Sequence, residues 1–159
     1  FDRDNTLITD KGYTFRKKDL KFKKGSIKAI KFLNKNNYFV FIVTNQSGIG
    51  RGIYSKKDFI NFQNYFNHIL IKHNAYINDI EYCPYHPHAL IKFYRKKSNL
   101  RKPNNQMIKN LIMKWRIDQK NSIYIGDSIV DEKTAIKSNL RFQYVDTNVF
   151  HQVKKLLKN

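Results

Sequence analysis

Four short polar segments of this sequence carry side chains suited to phosphoryl chemistry. Asp2-Arg3-Asp4-Asn5-Thr6 sets two carboxylates two residues apart. If the chain turns there after a strand, both converge on one point, one as nucleophile and the other to give and recover a proton. Thr44-Asn45-Gln46-Ser47-Gly48 follows an apolar run and offers a hydroxyl, side-chain amides and free backbone N–H groups. At the carboxyl edge of an open sheet, that combination suits phosphate oxygens. Arg101-Lys102-Pro103 supplies a cation that would neutralise an attacking carboxylate and its phosphate. Gly126-Asp127-Ser128, with Asp131 close behind, puts hard oxygen ligands where Mg2+ could bind.

Each segment also has an ordinary reading. Asp-x-Asp is common in turns, and Gly48, Gly50 and Gly52 could be plain turn glycines. An Arg-Lys pair means little in a chain with 31 Lys and Arg. Asp127 or Ser128 could simply cap a helix. Their common order is harder to dismiss: three polar clusters each follow a strand, and a cation lies between the second and third.

The elements that must position these groups are visible as periodicity. Tyr38–Thr44 is a continuous apolar run rich in β-formers and predicts a strand buried on both faces. Ser122–Gly126 and Phe142–Val145 predict two more, and Ile77–Cys83 an edge strand. Helical spacing of apolar residues runs through 26–34, from a capped start at Ser55 and Asp58 to about residue 73, and through 106–115, 131–138 and 149–157. Alternation of strands and helices predicts an α/β fold with a mainly parallel sheet. The length suits one domain over 1–159, with a long aperiodic loop at about 84–103. Asp2 stands where a strand should end, yet only Phe1 precedes it; a first strand cut short is the expectation.

Hydrophobic residues make up 41% of the chain, so it is a folding sequence, and no apolar run approaches the length of a membrane span. A cytoplasmic protein is expected. Cys83 is the single cysteine, which excludes an internal disulfide and a thiolate metal cluster. Against 31 basic residues stand 12 acidic ones, a net charge of +19. Such a surface attracts nucleic acid, anionic lipid or phosphorylated metabolites. The lysines are scattered through every segment, which also fits a compositional drift of the whole chain.

Taken together, Asp2/Asp4/Thr6, Thr44, Lys102 and Asp127/Asp131 resemble, in order, the four motifs of the haloacid-dehalogenase superfamily of aspartate-nucleophile phosphatases. Within it the chain is most similar to the heptose-1,7-bisphosphate phosphatase family, through Asp10-Lys11-Gly12-Tyr13, Thr44–Gly52, Cys83-Pro84-Tyr85-His86-Pro87 and Arg101-Lys102-Pro103. The resemblance implies a Rossmann-like three-layer sandwich. It implies Mg2+ held by Asp2, Asp4 and Asp127, and Asp2 and Asp4 as catalytic residues supported by Thr6 and Asp131. Asp10, Gly12, Tyr13, Thr44, Asn45, Gln46, Ser47, Arg101 and Lys102 would contact substrate or its phosphate. The partner implied is a small phosphorylated sugar bound by a monomeric enzyme. Histidinol-phosphate phosphatases and polynucleotide 3′-phosphatases share parts of the pattern and stay open as alternatives, as does a non-catalytic nucleic-acid-binding module.

There are departures from the family. Zinc-bearing members fold the loop around four ligands; here Cys83 matches one, and Tyr85, Ser98 and Leu100 occupy the others. A structural zinc is therefore not expected. Asn5 replaces the usual glycine of the first motif, which asparagine allows because it enters positive φ readily. Ser128 stands where many heptose enzymes have lysine.

Overall fold

The computed structural model describes residues 1–157; the last two residues of the expected 1–159 domain lie outside the described residues. The chain forms helices α1 (Ser26–Lys35), α2 (Ser47–Gly50), α3 (Lys56–Lys72), α4 (Gln106–Trp115), α5 (Ile129–Lys137) and α6 (Val149–Leu156). Between them run strands β1 (Phe41–Asn45), β2 (Asp79–Cys83), β3 (Ile123–Gly126) and β4 (Arg141–Tyr144).

Both ladders are parallel: β1 pairs β2 with Phe41 opposite Asp79, and β3 pairs β4 with Ile123 opposite Arg141. Phe1 and Asp2 lie between the ladders and join them. The Phe1 carbonyl accepts from Val43 N–H at 2.9 Å, and Asp2 N–H donates to the Ile125 carbonyl at 2.9 Å. Strand alternation then fixes the layers. Ile42 and Ile125 bury into a cluster with Leu33 of α1, Phe62 and Phe66 of α3 and Val153 of α6. Val43 and Tyr124, one residue away, bury into a second cluster with Met107 and Leu111 of α4 and Ala135 of α5. A parallel sheet thus lies between two helical layers, which is the α/β sandwich expected.

Strand ends shift by one to three residues from those expected, with β2 starting at Asp79 rather than Ile77, and other boundaries differ for identifiable reasons. Tyr38, Phe39 and Val40 were expected in the first strand but precede it. Asn37 takes a positive φ of 61° and Tyr38 N–H bonds back to the Leu33 carbonyl, so Tyr38 still closes α1. Phe39 stays outside, stacked near Phe41 and Trp115. Helix α5 begins two residues before Asp131, because Ser128 and Asp131 close its first turn reciprocally: Ser128 Oγ–H donates to Asp131 Oδ2 at 2.6 Å. The segment after β1 is a helical turn, α2, with Gly48 and Gly50 buried. At α3 the expected cap is present, with Asp58 N–H donating to Ser55 Oγ at 3.0 Å.

Candidate active site

The carboxyl ends of β1 and β3 and the Phe1–Asp2 segment between them open on one edge of the sheet. Thr44 near the end of β1, Asp127 directly after β3, and Asp2 lie there. Lys102 reaches the same place from the long loop between β2 and α4.

Lys102 is the centre of the arrangement. Its Nζ, 96% buried as a residue, lies 2.9 Å from Asp2 Oδ1 and 2.6 Å from Asp131 Oδ1. It also donates to the Val43 carbonyl at 3.0 Å and meets the Tyr124 hydroxyl at 3.1 Å. Burial alone would push this ammonium down, but Asp2 and Asp131 outweigh it and hold it above the usual lysine range. The Asp131 carboxyl is correspondingly held low: burial opposes its ionisation and Lys102 overcomes it. Burial pushes Asp2 up to about 6, against the pull of Lys102.

Asp2, Asp127 and Asp131 bring carboxylate oxygens within 4.8 Å of one another. The oxygens of Asp131 are already engaged, Oδ1 by Lys102 and the Tyr124 hydroxyl and Oδ2 by Ser128. Asp2 Oδ1 is buried, with the Lys102 ammonium 2.9 Å away as its partner. Burial and the Asp131 charge push the Asp127 carboxyl up. Hard oxygen donors under mutual repulsion fit a divalent cation of the Mg2+ type. Gly126 makes the cluster possible, because a Cβ there would come within 2.6 Å of Asp131 Cγ.

Asp4 faces a different set of partners. Arg3 grips its carboxylate with two N–H bonds, Nε to Oδ1 at 2.9 Å and Nη2 to Oδ2 at 3.0 Å. Gln46 Nε2 donates to Asp4 Oδ2 at 2.8 Å and to Thr44 Oγ1 at 2.9 Å, so the second motif reaches the first through one amide. Gln46 Oε1 accepts from Tyr54 and Arg3 at 2.6 and 3.1 Å. The amide of Asn45 is also taken: Oδ1 accepts from Lys102 N–H at 3.1 Å and Nδ2 donates to the Lys102 carbonyl at 3.3 Å. It clasps the lysine backbone.

Asp10 closes the turn that carries Gly12 and Tyr13, accepting from Thr14 N–H at 2.7 Å, Thr14 Oγ1 at 2.6 Å and Gly12 N–H at 3.2 Å. Tyr13 is presented at the surface of that turn. Asn5 has the positive φ of 56° that its position in the first motif predicted. Thr6 is fully buried and Ser47 opens α2. Arg101 donates to the Tyr85 carbonyl at 3.3 Å. Of the positions that the family resemblance marked for zinc ligands, Cys83 is buried beneath the loop, Tyr85 stacks under Lys96 Nζ at 4.3 Å and Leu100 packs on the second core cluster.

Sequence reasoning missed three residues. Arg3 is 1% exposed and lies against the rings of Phe59 and Phe62 as well as Asp4. Its signal was its place between two acidic residues. Tyr124 looked like a strand aromatic but puts its hydroxyl 2.9 Å from Asp131 Oδ1. Arg51 sits at the end of α2 facing His86, at 3.3 Å.

A family model described as polynucleotide kinase 3 phosphatase matches residues 1–157. The chain is 35% identical to the D-glycero-beta-D-manno-heptose-1,7-bisphosphate 7-phosphatase of Rhodopseudomonas palustris, over 98% of this chain and 87% of that one. Its fold is similar to a crystal structure of D,D-heptose 1,7-bisphosphate phosphatase from B. bronchiseptica complexed with magnesium and phosphate. That match has a TM-score of 0.83 at 22% identity and covers 98% of this chain and 83% of that one. A putative haloacid-dehalogenase-like phosphatase from Mesorhizobium loti is similar too, with a TM-score of 0.88 at 20% identity, over 99% of this chain and 83% of that one. The chain therefore belongs to the family of the heptose-1,7-bisphosphate 7-phosphatases, phosphoric monoester hydrolases, and it shares the fold of haloacid-dehalogenase-like phosphatases.

Proposed function

We propose that this chain removes the 7-phosphate of D-glycero-D-manno-heptose 1,7-bisphosphate, with Asp2 as nucleophile and Mg2+ as cofactor. The observation that carries the reading is Lys102 Nζ, buried between the carboxylates of Asp2 and Asp131 at the sheet edge where Asp127 also lies. A cation fixed there holds Asp2 in place and would meet the charge of an incoming phosphoryl group.

Asp2 attacks phosphorus in line, the bond to the sugar oxygen breaks, and an aspartyl-phosphate forms. Asp4 protonates the leaving oxygen, then takes a proton from the water that cleaves the acyl phosphate. Arg3 and Gln46 orient Asp4 for both steps, since both hold its carboxylate. Thr44 and Lys102 contact the phosphoryl oxygens, while Asn45 and Asp131 act through Lys102 as positioning residues. Asp2, Asp127 and the Asp4 backbone carbonyl would hold Mg2+, which supplies positive charge that offsets the repulsion between carboxylate and phosphate. Asp10, Gly12, Tyr13, Ser47 and Arg101 line the approach of the sugar. The chain acts as one domain, as a cytoplasmic monomer.

The test is Asp2→Asn, with folding followed by circular dichroism. Turnover of heptose bisphosphate falls to background while the spectrum is kept; near-normal turnover refutes the assignment. A panel of heptose 1,7-bisphosphate, histidinol phosphate and a 3′-phosphorylated oligonucleotide decides the substrate. The net charge of +19 and the description of the matched family favour the oligonucleotide as second reading.

A further inference from the structure

Four groups compete for the N–H bonds of the Lys102 ammonium. Asp131 Oδ1 lies at 2.6 Å, Asp2 Oδ1 at 2.9 Å, the Val43 carbonyl at 3.0 Å and the Tyr124 hydroxyl at 3.1 Å. An ammonium has three donors and no acceptor, so one of the four goes without. Two of them are carboxylates whose charge holds the cation. The third is a buried backbone carbonyl, which is unfavourable to leave without a donor. The tyrosine hydroxyl differs from these, because it brings a hydrogen of its own.

That hydroxyl stands within reach of two of its competitors. Tyr124 Oη is 2.9 Å from Asp131 Oδ1 and 3.2 Å from the Val43 carbonyl. The oxygen itself is fixed in place. Tyr124 lies on β3 opposite Phe142 of β4, and its ring is buried in the cluster of Met107, Leu111 and Ala135. Only the hydroxyl hydrogen is free to turn, toward Asp131 or toward Val43. Burial, with the charges of Asp2 and Asp131, pushes this phenol well above its usual range, so it stays a donor.

The two orientations differ in what they leave to Lys102. With the hydrogen on Asp131, the lysine serves Asp131, Asp2 and Val43, and no N–H remains. With the hydrogen on Val43, the carbonyl is satisfied without the lysine. One N–H is then released while both ion pairs persist. A phosphoryl oxygen is a charged acceptor and binds that N–H more strongly than a phenol or carbonyl oxygen does.

We propose that Tyr124 is a positioning residue of the reaction: its hydroxyl takes over the Val43 carbonyl when a phosphoryl group binds, and this frees one Lys102 N–H for the phosphoryl oxygens. The proposal rests on the reading above of Lys102 as a phosphoryl contact. Tyr124 acts through the lysine, from the core side. No proton is transferred; one hydrogen turns about its C–O bond.

Tyr124→Phe removes the hydroxyl and keeps the ring. The full chain is compared with Mg2+ as wild type, Tyr124→Phe, Lys102→Met and the double variant, on heptose 1,7-bisphosphate. Binding of inorganic phosphate to each is measured by calorimetry. Tyr124→Phe lowers kcat/KM about 10- to 100-fold and weakens phosphate by a similar factor, the size of one buried acceptor left unpaired in the bound state. In the Lys102→Met background the same substitution changes turnover less than about twofold, because the group it acts through is gone. Unchanged turnover and phosphate affinity in Tyr124→Phe, or the same loss in both backgrounds, overturns the proposal. Should Lys102→Met fail to fold or turnover be too slow to follow, the phosphate titration decides alone: equal affinity of Tyr124→Phe and wild type overturns it. Near-normal turnover in Lys102→Met removes the phosphoryl contact and the role of the tyrosine with it. An inactive Lys102→Met beside an unimpaired Tyr124→Phe removes the role of the tyrosine and leaves the contact standing.

Discussion

Replacing Lys102 by methionine isolates what the buried cation does. Methionine keeps the unbranched apolar stem and removes the ammonium. Two carboxylates then remain, Asp2 and Asp131, which had the ammonium at 2.9 and 2.6 Å. Breaking a buried pair from one side costs about 3–5 kcal/mol, because an uncompensated charge stays behind. The loss depends on pH. Asp2 is already pushed up to about 6 by burial, with Lys102 pulling it the other way. Without Lys102 its folded-state pKa rises further above the unfolded value of 3.8. A raised carboxyl binds more protons in the folded state, so stability falls as pH climbs from the unfolded to the folded pKa. The variant is therefore weakest near pH 8 and recovers near pH 5.5, where one carboxyl is protonated. Each unit of further rise is worth up to about 1.4 kcal/mol, so the deficit shrinks as the pH falls from 8 to 5.5. Urea unfolding followed by circular dichroism without divalent cations measures it. A deficit under about 1 kcal/mol at pH 8, or one of equal size at both pH values, would refute the reasoning. Phosphatase turnover falls about 100- to 1,000-fold, as for loss of one preorganised donor at a developing oxyanion.

Three further outcomes follow from the geometry. Gly126→Ala drives a methyl group into Asp131; it lowers stability by about 1–3 kcal/mol and lowers kcat, measured by thermal unfolding and steady-state kinetics. Asn45→Ala frees the Lys102 backbone and lowers kcat roughly tenfold with little change in KM, a split expected of a positioning residue. Asp79→Asn weakens the tie from β2 to Lys114 and Trp115 of α4, costing about 1 kcal/mol in urea unfolding at pH 7. Burial opposes ionisation of Asp79 but the bonds from Lys114 and Trp115 hold its pKa low. Its contribution is thus present at neutral pH, fades as pH falls through that lowered value, and the variant and wild type converge in acid.

The strands and helices were legible because burial on both faces writes itself as continuous apolar runs, as in Phe41–Val43 and Ile123–Ile125. Their carboxyl ends then pointed to Asp2, Thr44 and Asp127. Lys102 was legible only through its family motif, since nothing in its neighbourhood distinguishes one lysine among so many basic residues. What stayed hidden was where polar side chains spend their hydrogen bonds. Asn45 and Gln46 look like free amides in the sequence, yet their partners come from Lys102, 57 residues away, and from Asp4, 42 residues away. Arg3 reads as a surface residue by type, and only the third dimension supplies the rings and the carboxylate that let it be buried.

Asp131 spends one oxygen on the opening turn of α5 and the other on Lys102. That economy ties local fraying to catalysis: whenever the first turn of the helix unwinds, the lysine loses an anchor and drifts from its post. Breathing of α5, seen as exchange of its first amides with solvent, should therefore act as a dimmer on turnover, and stiffening that turn from the solvent side should steady the output without touching a reacting atom.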